Sequence, residues 1–369
     1  MGDVLTESRI IGSNGAVAKK LTVKLWKKGV IAKEEQYAGS LATQYFARKS
    51  GQFIYGKLDF LNQAFGIIPK ELDGYESTLD SPAFDISKQV NENFLLEYIA
   101  RDSFYLLHGN IANGSRKAKR IHSHTLLNMP FVAPNLEEQT AIGNFFKQLD
   151  DTIALHRRNC IKCQNLKMAY LESIFSAKYI HYKDRNKNAW EQRKLGEIYE
   201  NNTERNTHEI GYDKTISIAT MIYKSDGNGA SLKSLSNYKV LRMGDIAFEG
   251  HTNKQFRYGR FIVNDIGIGI MSPRFAALRP KRKMPISFWK YYIHYEPIMR
   301  NVLVNATKAG TMMNELVVSE FLNQTIFAPS LEEQTVIGNF FKQLDDTIAL
   351  HQRFWVNNNQ FGREYAELF

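Results

Sequence analysis

One stretch of the sequence occurs twice. Residues 134–158 read PNLEEQTAIGNFFKQLDDTIALHRR, and residues 329–353 read PSLEEQTVIGNFFKQLDDTIALHQR. The copies differ only at Asn135/Ser330, Ala141/Val336 and Arg157/Gln352, and they lie 195 residues apart. Duplication constrains a fold strongly, because like segments form like elements and bury like surfaces. Fainter echoes accompany it. Gly2-Asp3-Val4 answers Gly196-Glu197-Ile198, Phe131-Val132-Ala133-Pro134 answers Ile326-Phe327-Ala328-Pro329, and Ser81-Pro82-Ala83-Phe84 resembles Ser272-Pro273-Arg274-Phe275. The chain thus reads as a variable block and a copied block, twice. A common frame with two dissimilar inserts implies one scaffold holding two different recognition surfaces.

Each copy opens like a helix, with Pro134 or Pro329 followed by Leu-Glu-Glu-Gln, which puts proline and acids in the first turn. Ile142, Phe146, Leu149, Ile153, His156, Cys160, Cys163, Lys167, Tyr170, Ile174 and Ala177 then follow at alternating spacings of four and three. The second copy gives Ile337, Phe341, Leu344, Ile348, His351, Trp355, Asn358, Tyr365 and Phe369. This is a heptad seam, weakened slightly by Gly143 and Gly338. Over residues 136–176 it predicts a helix roughly 60 Å long. An apolar seam cannot stay in water, and its simplest partner is the other copy. The first helix leaves block one for block two and the second leaves block two, so the pair is expected antiparallel, with the blocks at opposite ends about an approximate twofold axis. The expected interface residues are Ile142, Phe146, Leu149 and Ile153 with Ile337, Phe341, Leu344 and Ile348. His156 and His351 interrupt the seam and set register.

The variable blocks mix β-like runs (Gln52-Phe53-Ile54-Tyr55; Phe261-Ile262-Val263) with helix-like ones (94–105; 287–304). Each reads as a small α/β or α+β domain. The expected fold class is α+β: two similar α/β domains joined by two long antiparallel helices in a coiled coil, with pseudo-twofold symmetry. The bounds are a first domain over 1–133, a first spacer helix over 134–177, a linker over 178–194, a second domain over 195–328 and a second spacer helix over 329–369. Block one begins at the position matching Leu195 and lacks a counterpart of Trp190-Glu191-Gln192-Arg193-Lys194, which reads as a misassigned start or a truncation. Met1–Thr6 fits the myristoylation pattern, but Gly2 is the repeat's own glycine and the match is incidental.

Composition removes several classes. With 43% hydrophobic residues the chain has ample core, and its 2 cysteines exclude a disulfide framework. No apolar run approaches the length of a membrane span and no signal sequence stands at the start, so a cytoplasmic protein without a membrane partner is expected. P-loop, dinucleotide-binding, zincin and serine-hydrolase patterns are missing, as are the Asn-Pro-Pro and Asp-Pro-Pro patterns of adenine methyltransferases. No catalytic residue, cofactor or metal is therefore expected. Cys160, Cys163 and His156 invite a zinc reading, but the second copy has Trp355 and Asn358 where the cysteines stand, and all lie on the seam; packing is favoured.

A net charge of +10 suggests a polyanionic partner. Between Ser103 and Leu136 there is no acid, yet Ser115, Arg116, Lys117, Lys119 and Arg120 form a basic cluster beside His122 and His124. In block two, Lys254, Gln255, Arg257, Tyr258 and Arg260 interleave basic, amide and aromatic groups, and Lys308 and Thr311 stand near the equivalent of Gly114-Ser115. Arg and Lys neutralise phosphates, while Arg and Gln can also read base edges. These are the candidate DNA-binding residues.

With these motifs in place, the chain resembles the specificity (S) subunit of type I restriction-modification systems. The doubled Leu-Glu-Glu-Gln-x-x-Ile-Gly-x-Phe-Phe-x-x-Leu-Asp-x-x-Ile block and Trp190-Glu191-Gln192-Arg193-Lys194-Leu195-Gly196-Glu197 carry the resemblance. It implies two target recognition domains that each read half of a split site in double-stranded DNA. It implies two spacer helices that fix the gap and dock two modification (methyltransferase) subunits, with restriction (motor and nuclease) subunits joining. It also implies no active site in this chain. The competing classes are a self-contained DNA-modifying or cleaving enzyme, a coiled-coil adaptor, and a truncated or silent specificity cassette.

Overall fold

A computed structural model describes residues 1–34, 39–110, 120–176, 190–226, 229 and 231–366, with backbone alone at 232 and 359–366. The chain divides into two compact units, Met1–Arg158 with His351–Phe369, and Asn159–Leu350. Each holds one variable block and parts of both long helices, Leu136–Phe175 and Leu331–Ala366.

The first unit is built on a four-stranded antiparallel sheet in the order Leu5–Ser8, Ala83–Ile86, Phe53–Tyr55, Phe65–Ile67. Phe53, Ile54 and Tyr55 are all fully buried, which explains an apolar run without alternation: both faces of this strand are covered. Phe53 and Tyr55 pack with Phe60, Phe65, Phe84, Leu95 and Phe104, while Ile54 packs with Leu21, Val30, Ile68 and Leu72. The helix-like run over 94–105 is two helices, Glu92–Ala100 and Asp102–Gly109, parted by extended backbone at Arg101. The break lets Leu95 and Ile99 before it, and Phe104 and Tyr105 after it, share one core. Arg48, 1% exposed, donates to the Ser8 carbonyl and the Ser77 hydroxyl at 2.8 Å each. Burial pushes its guanidinium down to about 10, against the pull of Glu7.

The second unit has a matching antiparallel sheet in the order Tyr199–Asn201, Ala277–Pro280, Ile246–Glu249, Arg260–Val263. A further sheet, Ile222–Lys224, Thr215–Ser217, Gly269–Met271, Lys239–Leu241, contains one parallel pairing. The expected helix over 287–304 is again two, Ile286–Tyr292 and Glu296–Ala306, the second opening with proline in its first turn. A charge network around the buried Asp245 ties these layers. Arg279 reaches Asp245 at 2.8 Å and Glu204 at 2.6 Å, and Arg242 reaches Glu204 at 2.8 Å.

The echoes of the repeat acquire physical meaning. The Met1 ammonium donates to the Met129 carbonyl at 2.7 Å, as the Leu195 amide donates to the Gln324 carbonyl at 2.8 Å. Gly2 and Gly196 lie where a Cβ would come 3.2 Å from the Leu127 oxygen and 2.9 Å from the Leu322 oxygen. The Ser-Pro echo is out of register by three residues. Leu5 pairs with Ile86 and Tyr199 with Pro280, so Ala83 matches Ala277 and Arg274 matches Asp80. The linker is also shorter than expected at its far end. Trp190 is buried and Glu191–Lys194 is a strand paired with Thr325–Ala328, because an indole with an apolar cluster to enter does not stay in solvent. Residues 178–189 lie outside the described residues.

Along the long helices Phe146, Cys160, Ile337, Phe341 and Ile348 are buried, and Ile142, Leu149, Ile153 and Leu344 are half-buried. Within the second unit Lys167 meets Asp345 at 2.6 Å and Tyr170 meets the Phe340 ring edge-on at 5.0 Å, so the helices run antiparallel there. Near the end of the first helix burial shifts from the expected Tyr170, 42% exposed, to Leu171 and Phe175. A straight helix drifts against a seven-residue repeat, and Phe175 finds Tyr292 and Phe341 there. Both cysteines are free, and no metal-binding group of side chains occurs among the described residues.

Candidate nucleic-acid interface

In the second unit, strands Ile246–Glu249 and Arg260–Val263 pair with Glu249 opposite Arg260, and the loop between them carries the basic-aromatic sequence. Asn253 folds its tip: the Oδ1 atom accepts from the amides of Gln255 at 2.8 Å and Phe256 at 2.9 Å, an Asx turn. Phe256 is buried, its ring 5.0 Å from that of His294. Anchoring Phe256 inward turns Lys254, Gln255 and Arg257 out to solvent. The same anchor holds Arg260, whose guanidinium lies over the Phe256 ring at 5.1 Å and whose Nε is 3.3 Å from Glu249. Arg260 and the half-buried Tyr258 thus brace the loop, leaving its presented charges to Lys254 and Arg257.

The loop lies against the hairpin Thr307–Lys308/Glu315–Leu316. The Asn314 amide donates to the Gly250 carbonyl at 2.9 Å. A Cβ on Gly250 would come 2.0 Å from the Asn314 oxygen, so only glycine permits the approach. Two clusters far apart in sequence therefore adjoin. Lys308 is exposed and pairs with exposed Glu315 at 3.2 Å, and Thr311 is exposed. Between loop and hairpin opens a cleft of about 220 Å³, lined by Gly250, Arg274, Thr311, Met312 and Asn314 among others. Exposed Arg274 stands at its wall, 3.3 Å from the Met312 sulfur. In the sequence Arg274 belongs to the Ser-Pro echo, a lone cation between two strand-like runs.

In the first unit, Ser115, Arg116, Lys117 and Lys119 lie outside the described residues. Arg120 is 42% exposed at its side chain, with Nε 3.8 Å from Asp80. Two cations missed from the sequence stand near it. Arg9 pairs with Glu7 at 2.8 Å, and Lys57, its ammonium pushed down by burial, feels Glu7, Asp80, Arg9 and Arg120. Burial would raise the Glu7 carboxyl, but hydrogen bonds from Arg9 and Ser123 hold it below its ordinary value.

The part of the chain that carries the Lys254 loop and its hairpin is similar to a known domain. Residues 187–354 match the family model of the type I restriction modification DNA specificity domain. That similarity spans the second variable block and the larger part of the second long helix. A specificity subunit is the DNA-recognition component of a type I restriction-modification system and carries none of its catalysis. No curated protein matches the chain. Among solved structures, the S subunit of a type I restriction-modification system from M. genitalium matches with a TM-score of 0.58 at 11% identity, covering 99% of this chain and 93% of that one. The HsdS subunit from Thermoanaerobacter tengcongensis matches with a TM-score of 0.47 at 17% identity, covering 99% of this chain and 94% of that one. No helix among the described residues is long and apolar enough to cross a membrane.

Proposed function

We propose that the chain reads a bipartite site in double-stranded DNA, one half with each variable block, in the cytoplasm. The two long helices set the gap between the halves and dock two modification subunits, which restriction subunits join. The observation that carries this reading is the pairing of one recurrent backbone frame with unlike loops. The frame repeats down to the hydrogen bonds of Met1 and Leu195, while Arg274 stands in the second unit where the first has Asp80. A scaffold that holds its frame and varies its loops suits two half-sites of different sequence. Lys254, Gln255, Arg257, Lys308 and Thr311 are the proposed DNA contacts of the second unit, and Ser115, Arg116, Lys117, Lys119 and Arg120 those of the first.

Two measurements test this. Replacing Lys254 and Arg257 by alanine weakens binding of the second half-site and lowers the salt slope by about 2, roughly one per lost phosphate contact; unaltered affinity and slope sink the assignment. Inserting one helical turn after Leu155, with the modification subunit co-expressed, lengthens the gap between methylated adenines; an unchanged gap rules out helices as the spacer. A purified chain that cleaves or methylates DNA unaided would favour the enzyme reading instead.

A further inference from the structure

Several arginines of the second unit are matched by a carboxylate. Arg242 meets Glu204, Arg260 meets Glu249, Arg279 meets Asp245 and Arg300 meets Glu296. Among the described residues Arg274 meets none. Its side chain lies instead 3.3 Å from the Met312 sulfur, a weak acceptor that positions the guanidinium without neutralising it. Arg274 is exposed and Met312 is 72% exposed. Both border the cleft of about 220 Å³ beside Gly250, Thr311 and Asn314, so the cation stands next to open space.

The fold carries Arg274 on the flank of a rooted hairpin. The Phe248 amide donates to the Ala276 carbonyl at 2.9 Å, which lays the Arg274 segment beside the start of the Lys254 loop. The hairpin is anchored below its tip. Leu316 packs on the main core of the unit, and the Val317 amide donates to the Ala306 carbonyl at 2.8 Å. Gly310 lets the tip close, because a Cβ there would collide with the Met313 carbonyl oxygen. Thr311 and Met312 at that tip are exposed. A two-stranded β-ribbon is one of the elements that the major groove of B-DNA admits, and in that groove guanine shows two acceptors, N7 and O6, side by side. The planar guanidinium fork matches them.

The first unit sharpens the contrast. The pairings of Leu5 with Ile86 and of Tyr199 with Pro280 put exposed Asp80 at the position of Arg274. Where the repeat needs a structural residue, both copies keep it, as with Gly143 and Gly338. Here the backbone frame is kept and the side-chain charge reverses, as a position that reads sequence requires.

We propose that Arg274 is a specificity-determining residue: the hairpin enters the major groove of the second half-site, and the Arg274 guanidinium donates two hydrogen bonds to N7 and O6 of one guanine. The inference rests on the DNA reading above and adds to it a residue outside the Lys254 loop and the base that it selects. Lys254 and Arg257 neutralise phosphates, and Arg274 discriminates.

The test is selection of bound duplexes from a pool randomised over the second half-site, using the full chain co-expressed with its modification subunit. Titrations over a range of salt follow on the selected sites. The unchanged chain is expected to select a guanine that Arg274→Ala no longer selects. That variant loses about five- to a hundredfold in affinity for the guanine site, keeps its affinity for the same site with that base pair replaced, and keeps its preferences at the other positions. Arg274 is exposed, so the variant folds, and circular dichroism confirms it. A uniform loss over all sequences with a salt slope lowered by about one makes Arg274 a phosphate contact and overturns the proposal, as does an unaltered guanine preference; both leave the DNA reading standing. An unchanged chain that selects no sequence in the second half-site removes that reading, and this inference with it.

Discussion

The Nδ1 atoms of His156 and His351 lie 2.8 Å apart, although each is the same residue of the duplicated block, 195 positions from the other. Like positions meet where two antiparallel copies of one helix cross. A neutral imidazole offers one donor and one acceptor, so the pair shares one hydrogen, and His156 also stacks on Phe354 at 4.2 Å. Replacing either histidine alone by leucine strands a half-buried ring nitrogen and lowers stability by about 1–2 kcal/mol. Replacing both is close to neutral. A double-mutant cycle by thermal denaturation reads the coupling, and additive losses would show the contact to be incidental.

Gly143 and Gly338 look like weak points in otherwise good helices, and alanine there would raise intrinsic helix propensity by about 1 kcal/mol. The structure reverses that expectation. A Cβ at Gly338 would come 2.5 Å from the Phe288 amide nitrogen, and one at Gly143 would come 2.8 Å from that of Phe94. Gly338→Ala and Gly143→Ala are therefore expected to destabilise by about 1–3 kcal/mol through overpacking. A higher denaturation midpoint for either variant would contradict this.

Arg48 holds four oxygens in a buried site: those of Ser8, Thr78 and Ser81 and the Ser77 hydroxyl. Arg48→Met keeps most of the volume but removes the donors to the Ser8 and Thr78 carbonyls, while the Ser77 hydroxyl still donates to the Ser81 carbonyl. We expect a loss of about 3 kcal/mol, the scale of charge-assisted hydrogen bonds removed from a buried site. Urea denaturation reported by first-unit residues measures it, and an unchanged midpoint would count against the network.

Glu204 is held at about 2, below the ordinary 4.5, first by its hydrogen bond from Arg242 and then by Arg279. Between these values the unfolded chain binds the proton and the folded one does not. The contribution is complete above about 4.5 and is lost as pH falls toward about 2. Buried Asp245, raised by desolvation, pulls in the opposite direction. Glu204→Gln is expected to flatten the acid-unfolding profile below pH 4.5. A profile as steep as that of the unchanged chain would remove Glu204 from the account of acid lability.

How much was legible in the sequence differs by element. The long helices were, because an apolar residue every third or fourth position must face a partner, and a copied seam names that partner. Their far end was not: Leu171 and Phe175 replace Tyr170 because aromatic rings from distant helices gather there. Phe53-Ile54-Tyr55 was legible as a strand, but the division of residues 94–105 was not, since what breaks that run is the shared core on either side of Arg101.

The sequence by itself determined that the chain is duplicated, that its repeats are paired helices and that its variable blocks carry basic loops. Periodicity and charge are local properties, so they survive without coordinates. Only the tertiary structure decided which charges are free. Arg260 is bound to Glu249 and stacked on Phe256, Lys254 and Arg257 are turned outward, and Arg274 is brought beside a hairpin from more than thirty positions away. Whether a cation is presented or consumed depends on the acid that the fold places beside it, and that proximity is set by the path of the whole chain.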